Sequence, residues 1–236
     1  MEHTKIHVYY NGLHGGNMSF GIQIYKNGRL AMTPEFYPYS LCKRVILSST
    51  GTHVIETGIP SSKNVICFFK GSQSFPSVCT IQSDKTGSTI KVNVWIPING
   101  RPPITIYIFS NYPVNVPEWG AFVYNNNELV WHSNALPLKC AKLPPGLGWQ
   151  SGNLPEAKRI AITFGYCGMQ TSDVANPGYW TGIYMWGVAG TATTKAEQVE
   201  YTITVTTQPY NFSVADSPLY IETDIYDQYY QQSLGV

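Results

Sequence analysis

Residues 19–32 read SFGIQIYKNGRLAM, and this stretch decides the fold class. Polar and apolar residues alternate before Asn27 and Gly28, as is typical of a strand with one buried face, and a second short strand-like run, residues 29–32, follows them. Asn and Gly tolerate the positive φ angles that tight turns between antiparallel strands require. The stretch therefore predicts a β-hairpin.

Strand signals continue along the chain. Within the predicted strand at residues 104–110, the run ITIYIF (104–109) is apolar on both faces and favours a central position. Within the predicted strand at residues 200–207, the run YTITVTT (201–207) alternates strictly. The 21 glycines and 16 prolines interrupt the chain too often for long helices, and only residues 194–198 favour one helical turn. The sequence predicts an all-β protein of antiparallel, β-sandwich-like units. Its other predicted strands span residues 44–47, 53–56, 64–69, 78–82, 88–96, 119–124, 128–132, 159–166 and 180–188.

The hairpin at residues 20–32 has a weaker copy at residues 119–131, at a constant offset of 99. A repeat of this length is typical of two related domains. Alternatively, two unrelated hairpins converged on one pattern, because the turn chemistry of hairpins is restricted. The coinciding pairs are Gly21 and Gly120, Tyr25 and Tyr124, Asn27 and Asn126, and Leu30 and Leu129.

A duplication divides the chain into four parts. Residues 111–117 contain two prolines and would link the two domains as a semi-rigid spacer. In the alternative, the strands at 104–109 and 119–124 pair in one sheet of a single larger domain. The four parts are an N-terminal arm (1–17), a first β-sandwich-like domain (18–112), a second one (113–208) and an extended, acidic, tyrosine-rich C-terminal tail (209–236).

Charge is scarce and unevenly distributed. Charged residues make up 12% of the chain, against about 25% in ordinary domains. Residues 1–101 hold ten Lys/Arg and four Asp/Glu, whereas residues 102–236 hold five and ten. This asymmetry would assist head-to-tail docking of neighbouring copies, or it is a chance drift in surface charge. No cluster of Lys and Arg indicates a nucleic-acid partner.

The cysteines favour free thiols over a disulfide framework. Their number is odd, and no two have CxxC spacing, which argues against a zinc knuckle as well. The first 16 residues are polar, so we expect no export signal, and the longest apolar runs have the length of strands, so we expect no membrane span. The five positions are Cys42, Cys67, Cys79, Cys140 and Cys167.

Sequence patterns of known catalytic sites are missing from the chain. It contains no GxSxG, HExxH, P-loop or GxGxxG pattern. His3 and His7 have a spacing that suits a metal ion only on a helix, and their surroundings favour a strand. Asp224 and Asp227 resemble the carboxylate pair of glycosidases but lie in the predicted tail. We expect a protein that is not an enzyme and that needs neither a cofactor nor a metal ion.

Aromatic residues are the candidate contacts for a partner. Trp149 follows a Pro/Gly-rich loop, and Tyr179 and Trp180 follow the turn Asn176-Pro177-Gly178. Exposed rings beside amide side chains are typical of glycan sites, but core and interface packing uses the same residues. The tail either lies across a neighbouring subunit, wraps its own domain or is disordered. Its candidate contacts are Tyr220, Tyr226, Tyr229 and Tyr230.

The two hairpins resemble strand-turn-strand patches of small tail-associated proteins of tailed bacteriophages. The first patch is residues 18–30, and the second, residues 119–133, ends in Val130-Trp131-His132-Ser133. The acidic residue usual after the second strand is replaced by Thr33 and His132, and 17 residues precede Met18, where such proteins commonly begin. The family pattern marks a fold and carries over no functional residue.

The resemblance implies a structural component of a phage virion, at the tail tip or at the base of the host-recognition fibres. It implies other virion tail proteins as partners, an oligomer, and synthesis in the host cytoplasm. The alternative is a receptor- or glycan-binding module that uses the exposed aromatic residues of the second half.

Overall fold

The computed structural model describes residues 4–11, 19–26, 29–32, 38–71, 77–125, 127–142, 152–153, 159–164, 166–174, 178–189, 195–206 and 218–234. Side chains are described for residues 38–71, 77–125, 127–142, 159–164, 218–231 and 233–234. These parts of the chain form eighteen strands and one helix, which confirms the predicted all-β class.

The elements follow one another along the chain with short connections, and the described strand pairs are antiparallel. They are β1 (Thr4–Asn11), β2 (Ser19–Lys26), β3 (Arg29–Met32), β4 (Ser40–Leu47), β5 (Gly51–Pro60), β6 (Val65–Gly71), β7 (Thr80–Asp84), β8 (Thr89–Ile96), β9 (Ile104–Ser110), β10 (Phe122–Asn125), β11 (Glu128–His132), β12 (Cys140–Lys142), β13 (Gly152–Asn153), β14 (Ile160–Ile162), β15 (Tyr166–Val174), β16 (Gly178–Ala189), β17 (Lys195–Thr206), β18 (Leu219–Glu222) and α1 (Asp224–Leu234).

The largest sheet contains six strands in the order β12-β18-β14-β6-β9-β4. Its strand β9 pairs with β4 on one side and with β6 on the other, and all of its residues are buried. A strand that is covered on both faces carries a continuous apolar run. The interior strand predicted from ITIYIF is therefore confirmed.

One face of the six-stranded sheet packs on the three-stranded sheet β5-β8-β7. Every second residue of β8 is buried, because successive side chains point to opposite faces of a strand. Val92 and Val94 of β8 share a core with Ile106 of β9 and Phe69 of β6. Each such side chain contributes roughly 1.5–3 kcal/mol when it leaves water.

The opposite face of the six-stranded sheet is covered by helix α1. Tyr226 and Leu234 of the helix pack on Tyr107 and Phe109 of β9. The carbonyl of Thr223 accepts a hydrogen bond from the amide of Asp227 at 2.8 Å, which places Thr223 at the N-cap, a position that threonine favours. The helix thereby begins where β18 ends, and the chain turns back over the sheet.

The C-terminal prediction was wrong for most of the tail. Instead of an extended segment, residues Leu219–Glu222 form a strand and Asp224–Leu234 form a helix. Tyr226, Tyr230 and Leu234 recur every four residues, so an apolar face was present, but tyrosines supply it. The helical turn predicted at residues 194–198 was also wrong, because β17 runs through Lys195–Thr206.

The predicted N-terminal arm contains a strand. β1 pairs with β2 along its whole length, from Thr4 opposite Lys26 to Asn11 opposite Ser19. Together with β3 these strands form a three-stranded sheet.

The largest sheet contains strands from both sides of the predicted domain boundary at residues 112–113, so this boundary does not separate two independent sheets. Strands β4, β6 and β9 precede the boundary, whereas β12, β14 and β18 follow it. Strands β9 and β10 lie in different sheets, so their pairing in the single-domain alternative is wrong. A further sheet, in the order β13-β17-β16-β15, contacts the largest one through β16, which lies near β6 and β14.

The two predicted hairpins share their register. In the first, Ile24 pairs with Met32 and Lys26 with Arg29; in the second, Val123 pairs with Trp131 and Asn125 with Glu128. Each of these positions differs by 99 residues. Each hairpin also has a bulge at the same step, between Ile24 and Tyr25 and between Val123 and Tyr124. The two hairpins are therefore equivalent in the register of their strand pairing and in the position of their bulge.

Candidate functional site

The second hairpin has a small apolar cluster of its own. Val123 and Val130 are buried together, with Trp131 packed against them. His132 is buried and hydrogen-bonds the backbone of Val114, while burial lowers the pKa of its imidazole. Among the described residues, the buried Nδ1 of His132 has no hydrogen-bond partner.

Backbone contacts hold the segment that leads into β10. The amide of Ser133 donates to the carbonyl of Ala121 at 2.8 Å, and the amide of Ala121 donates to Oγ of Ser133 at 3.2 Å. Gly120 has a φ of 145°, and a Cβ there would collide with Oγ of Ser133. The approach of the two strands therefore requires a glycine at this position.

Apolar side chains remain at the surface around this hairpin. Trp119 is 85% exposed, Tyr124 is 56% exposed, and Val116 is about half exposed. We refer to these three residues as the hairpin rim. Large apolar side chains at the surface favour contact with a partner, because their burial is favourable.

A second group of functional side chains lies between helix α1 and the six-stranded sheet. Asp227 accepts hydrogen bonds at Oδ1 from Arg44 Nε at 3.0 Å and from the Tyr107 hydroxyl at 2.7 Å. Lys70 binds its Oδ2 and also donates to Oγ1 of Thr223 at 3.2 Å. We refer to Arg44, Lys70, Tyr107, Thr223 and Asp227 as the Asp227 cluster.

The electrostatics of the Asp227 cluster favour attachment over acid–base chemistry. Burial opposes the charge of Asp227, but hydrogen bonds from Lys70 and Tyr107 and the charges of Lys70 and Arg44 hold its pKa below the ordinary value. Burial, and then the negative charge of Asp227, raise the pKa of Tyr107, so its hydroxyl stays protonated. A carboxylate that accepts three hydrogen bonds is a weak base, so this group joins the helix to the sheet.

A cleft of about 330 Å³ lies beside the start of the helix, and its walls include Cys140, Glu222 and Asp224. Asp224 pairs with Arg159 at 3.2 Å in an exposed ion pair, and Cys140 is an exposed free thiol. Within the described residues no three His, Cys, Asp or Glu side chains lie close enough to hold a metal ion, and no helix has the length and apolar character of a membrane span.

The other described cysteines are also free thiols, and burial favours their protonated form. Cys42 and Cys79 are buried, and Cys67 is half-buried. Burial raises the pKa of Cys42 and of Cys67 to about 12, which leaves both as thiols at neutral pH.

The predicted tyrosine contacts of the C-terminal region occupy different environments. Tyr226 is a core residue: its hydroxyl donates to the carbonyl of Pro137 at 3.0 Å and accepts from the amide of Lys139. Tyr220 is half-buried against the core, and Tyr230 lies over the guanidinium of Arg44 at 4.6 Å. Tyr229 is 43% exposed. Of the four, Tyr229 is the most exposed.

The other predicted contacts come from the second half of the chain. Tyr179 and Trp180 lie in β16, where they pair with Thr206 and Val205 of β17. Trp149 lies outside the described residues. The sequence-based selection of contact residues missed the hairpin rim. The repeat contained a signal for it, because it aligns Trp119 with Phe20, an aromatic residue of strand β2.

Comparisons with known proteins found no relative. No protein-family model matches the chain, and no curated protein or solved structure has significant similarity to it.

Proposed function

We propose that this protein is a structural component of a phage virion, at the tail tip or at the base of the host-recognition fibres, and that it acts through protein–protein contacts. One observation carries the proposal: the two patches that resemble phage tail proteins are equivalent hairpins in register and bulge, and the exposed Trp119 and Tyr124 of the hairpin rim lie in the first half of the second one.

The physical argument rests on the cost of exposing aromatic side chains. Trp119 and Tyr124 lose favourable burial as long as they face water, and aromatic residues dominate the energy of protein interfaces. The partly buried Asp227, whose pKa is lowered, is used for internal packing between helix α1 and the sheet. A contact role therefore accounts for the exposed side chains of the hairpin rim, whereas no described side chain has been identified as a catalytic group.

The test is incorporation into particles. In the phage that encodes the chain, we expect the protein in purified virions, at the tail by immunogold labelling. The double variant W119A/Y124A should lower its amount in virions about tenfold or more, if the rim contributes 1.4 kcal/mol or more to binding.

The matched control is Ile98→Ala, which removes a 96% exposed apolar side chain outside the hairpin rim and should leave incorporation unchanged. Absence of the wild-type protein from virions would contradict the proposed function.

A glycan-binding role is the second candidate. Trp95 of β8 points away from the core and is 36% exposed, with Asn93 next to it on the same face and Gln82 of β7 opposite Asn93. A ring face beside amide groups suits a neutral sugar ring. Binding on a glycan array that is lost in Trp95→Ala would support this role at the sheet face, and loss in Trp180→Ala would support it at β16.

A further inference from the structure

The two hairpins differ in whether a further strand pairs with their outer edge. In the first, β2 pairs with β3 on one side and with β1 on the other. In the second, β10 pairs with β11, and among the described residues no strand occupies the edge that is equivalent to the β1 side. The second hairpin is thus a copy of the first without its third strand.

The consequences of the missing strand are visible in the residues that would pair with it. In the first hairpin, Phe20 and Gly21 belong to β2 and pair with Tyr10 and Tyr9 of β1. Their equivalents Trp119 and Gly120 precede β10, which begins only at Phe122, and the Trp119 ring is in water. Strand β10 is therefore shorter than β2, and Trp119 is exposed at the position where β2 pairs with β1.

The edge of β10 also lacks the usual protection against strand addition. Natural edge strands carry Lys, Pro or inward-pointing charges that prevent pairing with another chain. Residues 119–125 read WGAFVYN and contain none of these. Backbone pairing with a further strand would satisfy the free amide and carbonyl groups and cover the two rings.

We propose that β1 of a second copy of this chain adds to the free edge of β10. The donor strand stays paired with its own β2 and uses its outer edge, so no part of the N-terminal sheet unfolds. Within the described residues β1 pairs with β2 alone, which leaves that outer edge available. The inference deepens the proposed function by naming one partner of the hairpin rim, and it rests on the contact role proposed there.

Charge favours this occupant over an isologous pairing of two β10 edges. The donor strand contains Lys5 and no acidic residue. The acceptor edge, residues 119–125, carries no charge and directly follows Glu118. Lys5 and Glu118 attract each other, whereas pairing of two acceptor edges would bring two copies of Glu118 together without a cation.

The geometry of such a contact is head-to-tail. Donor and acceptor lie in different parts of the chain, so each copy can give one strand and receive another. A heterologous contact of this kind closes into a ring or extends as a filament, depending on the rotation between copies.

The first measurement is sedimentation velocity of the purified full chain over a range of concentrations. The wild type should self-associate, and W119K/Y124K should associate about tenfold or more weakly, since edge lysines oppose strand addition. The matched control is Ile98→Lys, which replaces a 96% exposed apolar residue on the β8–β9 connection and should associate like the wild type. A wild type that stays monomeric, or equal weakening in both variants, would overturn the inference.

Hydrogen exchange of the wild type locates the contact without any variant. As the concentration rises, amides of residues 4–11 and of residues 119–125 should both become more protected. Protection of residues 119–125 alone indicates pairing of two β10 edges and overturns the proposal. Virion incorporation without self-association would refute this inference and leave the proposed function standing, and self-association of a protein absent from virions would do the opposite.

Discussion

The two faces of strand β9 are closed in different ways. Ile104, Ile106 and Ile108 face the three-stranded sheet and pack in an apolar cluster. Tyr107 and Phe109 face helix α1, where a carboxylate and two cations lie beside the rings. Apolar packing supplies most of the stability, but it does not depend on the orientation of the groups that meet. The hydrogen bonds of the Asp227 cluster require particular distances and angles, and they therefore restrict the helix to one position on the sheet.

The largest expected effect is on the apolar face. Ile106→Ala should lower the free energy of unfolding by about 3 kcal/mol, because the truncated side chain leaves a cavity in a fully buried layer. Urea unfolding measures this loss. Ile46→Ala, at an exposed position of the neighbouring strand β4, should change it by less than about 0.5 kcal/mol. Equal losses in the two variants would contradict the assigned face.

On the polar face, Asp227→Asn should lower the free energy of unfolding by about 2 kcal/mol, because Arg44 and Lys70 lose their carboxylate in a half-buried site. Hydrogen exchange in α1 should rise with it, as the helix detaches more often. Asp224→Asn removes the exposed partner of Arg159 and should cost less than about 0.5 kcal/mol. If both variants behave alike, the cluster does not hold the helix.

Acid should remove the same contribution in the wild type. The pKa of Asp227 is lower in the folded than in the unfolded protein, so its stabilisation is complete above the ordinary aspartate value of about 3.9. It is lost as the pH falls through the folded-state pKa. The stability curves of wild type and Asp227→Asn should therefore converge in acid, and curves that stay parallel below pH 4 would exclude this linkage.

A smaller effect should follow from Tyr107→Phe, which keeps the ring between Arg44 and Tyr226 but removes the hydrogen bond to Asp227. We expect a loss of about 1 kcal/mol in urea unfolding. The control Tyr229→Phe removes a hydroxyl from a partly exposed ring and should be neutral. An unchanged stability of Tyr107→Phe would show that the hydroxyl contributes nothing to the polar face.

The smallest effect should come from the exposed ion pair of Lys63 and Glu128, at 2.6 Å. Glu128→Gln should cost less than about 0.5 kcal/mol, because water screens this pair. In thermal unfolding at low and high salt, the wild type and Glu128→Gln should differ little. A loss as large as that of Asp227→Asn would mean that burial does not distinguish the two sites.

Local patterns predicted much of the fold. Strands β9 and β11 begin and end where the sequence indicates, and the hairpin grammar around Asn126 and Asn127 predicted β10 and β11. Asn127 has a φ of 64°, as expected of a residue at the position of Gly28. These features depend on alternation and turn chemistry, which neighbouring residues determine.

The C-terminal region and the candidate site were less predictable. Helix α1 buries Tyr226 and Tyr230, and a tyrosine-rich segment reads equally well as a surface or as a core, because the ring is apolar and the hydroxyl is polar. Asp227 looked like a tail residue until the fold placed it beside Lys70 and Arg44, which lie more than 150 residues earlier. The hairpin rim became visible only when the edge of β10 could be compared with that of β2.

The sequence by itself determined the all-β class, the hairpin repeated at residues 20–32 and 119–131, and the interior position of β9, because alternation and turn residues act over a few neighbours. Tertiary structure alone decided that strands from both halves share one sheet and that helix α1 covers one face of that sheet. It also decided that, among the described residues, β10 has one neighbouring strand whereas β2 has two. These features depend on contacts between distant segments, and pairing partners are not written into the local pattern of either strand.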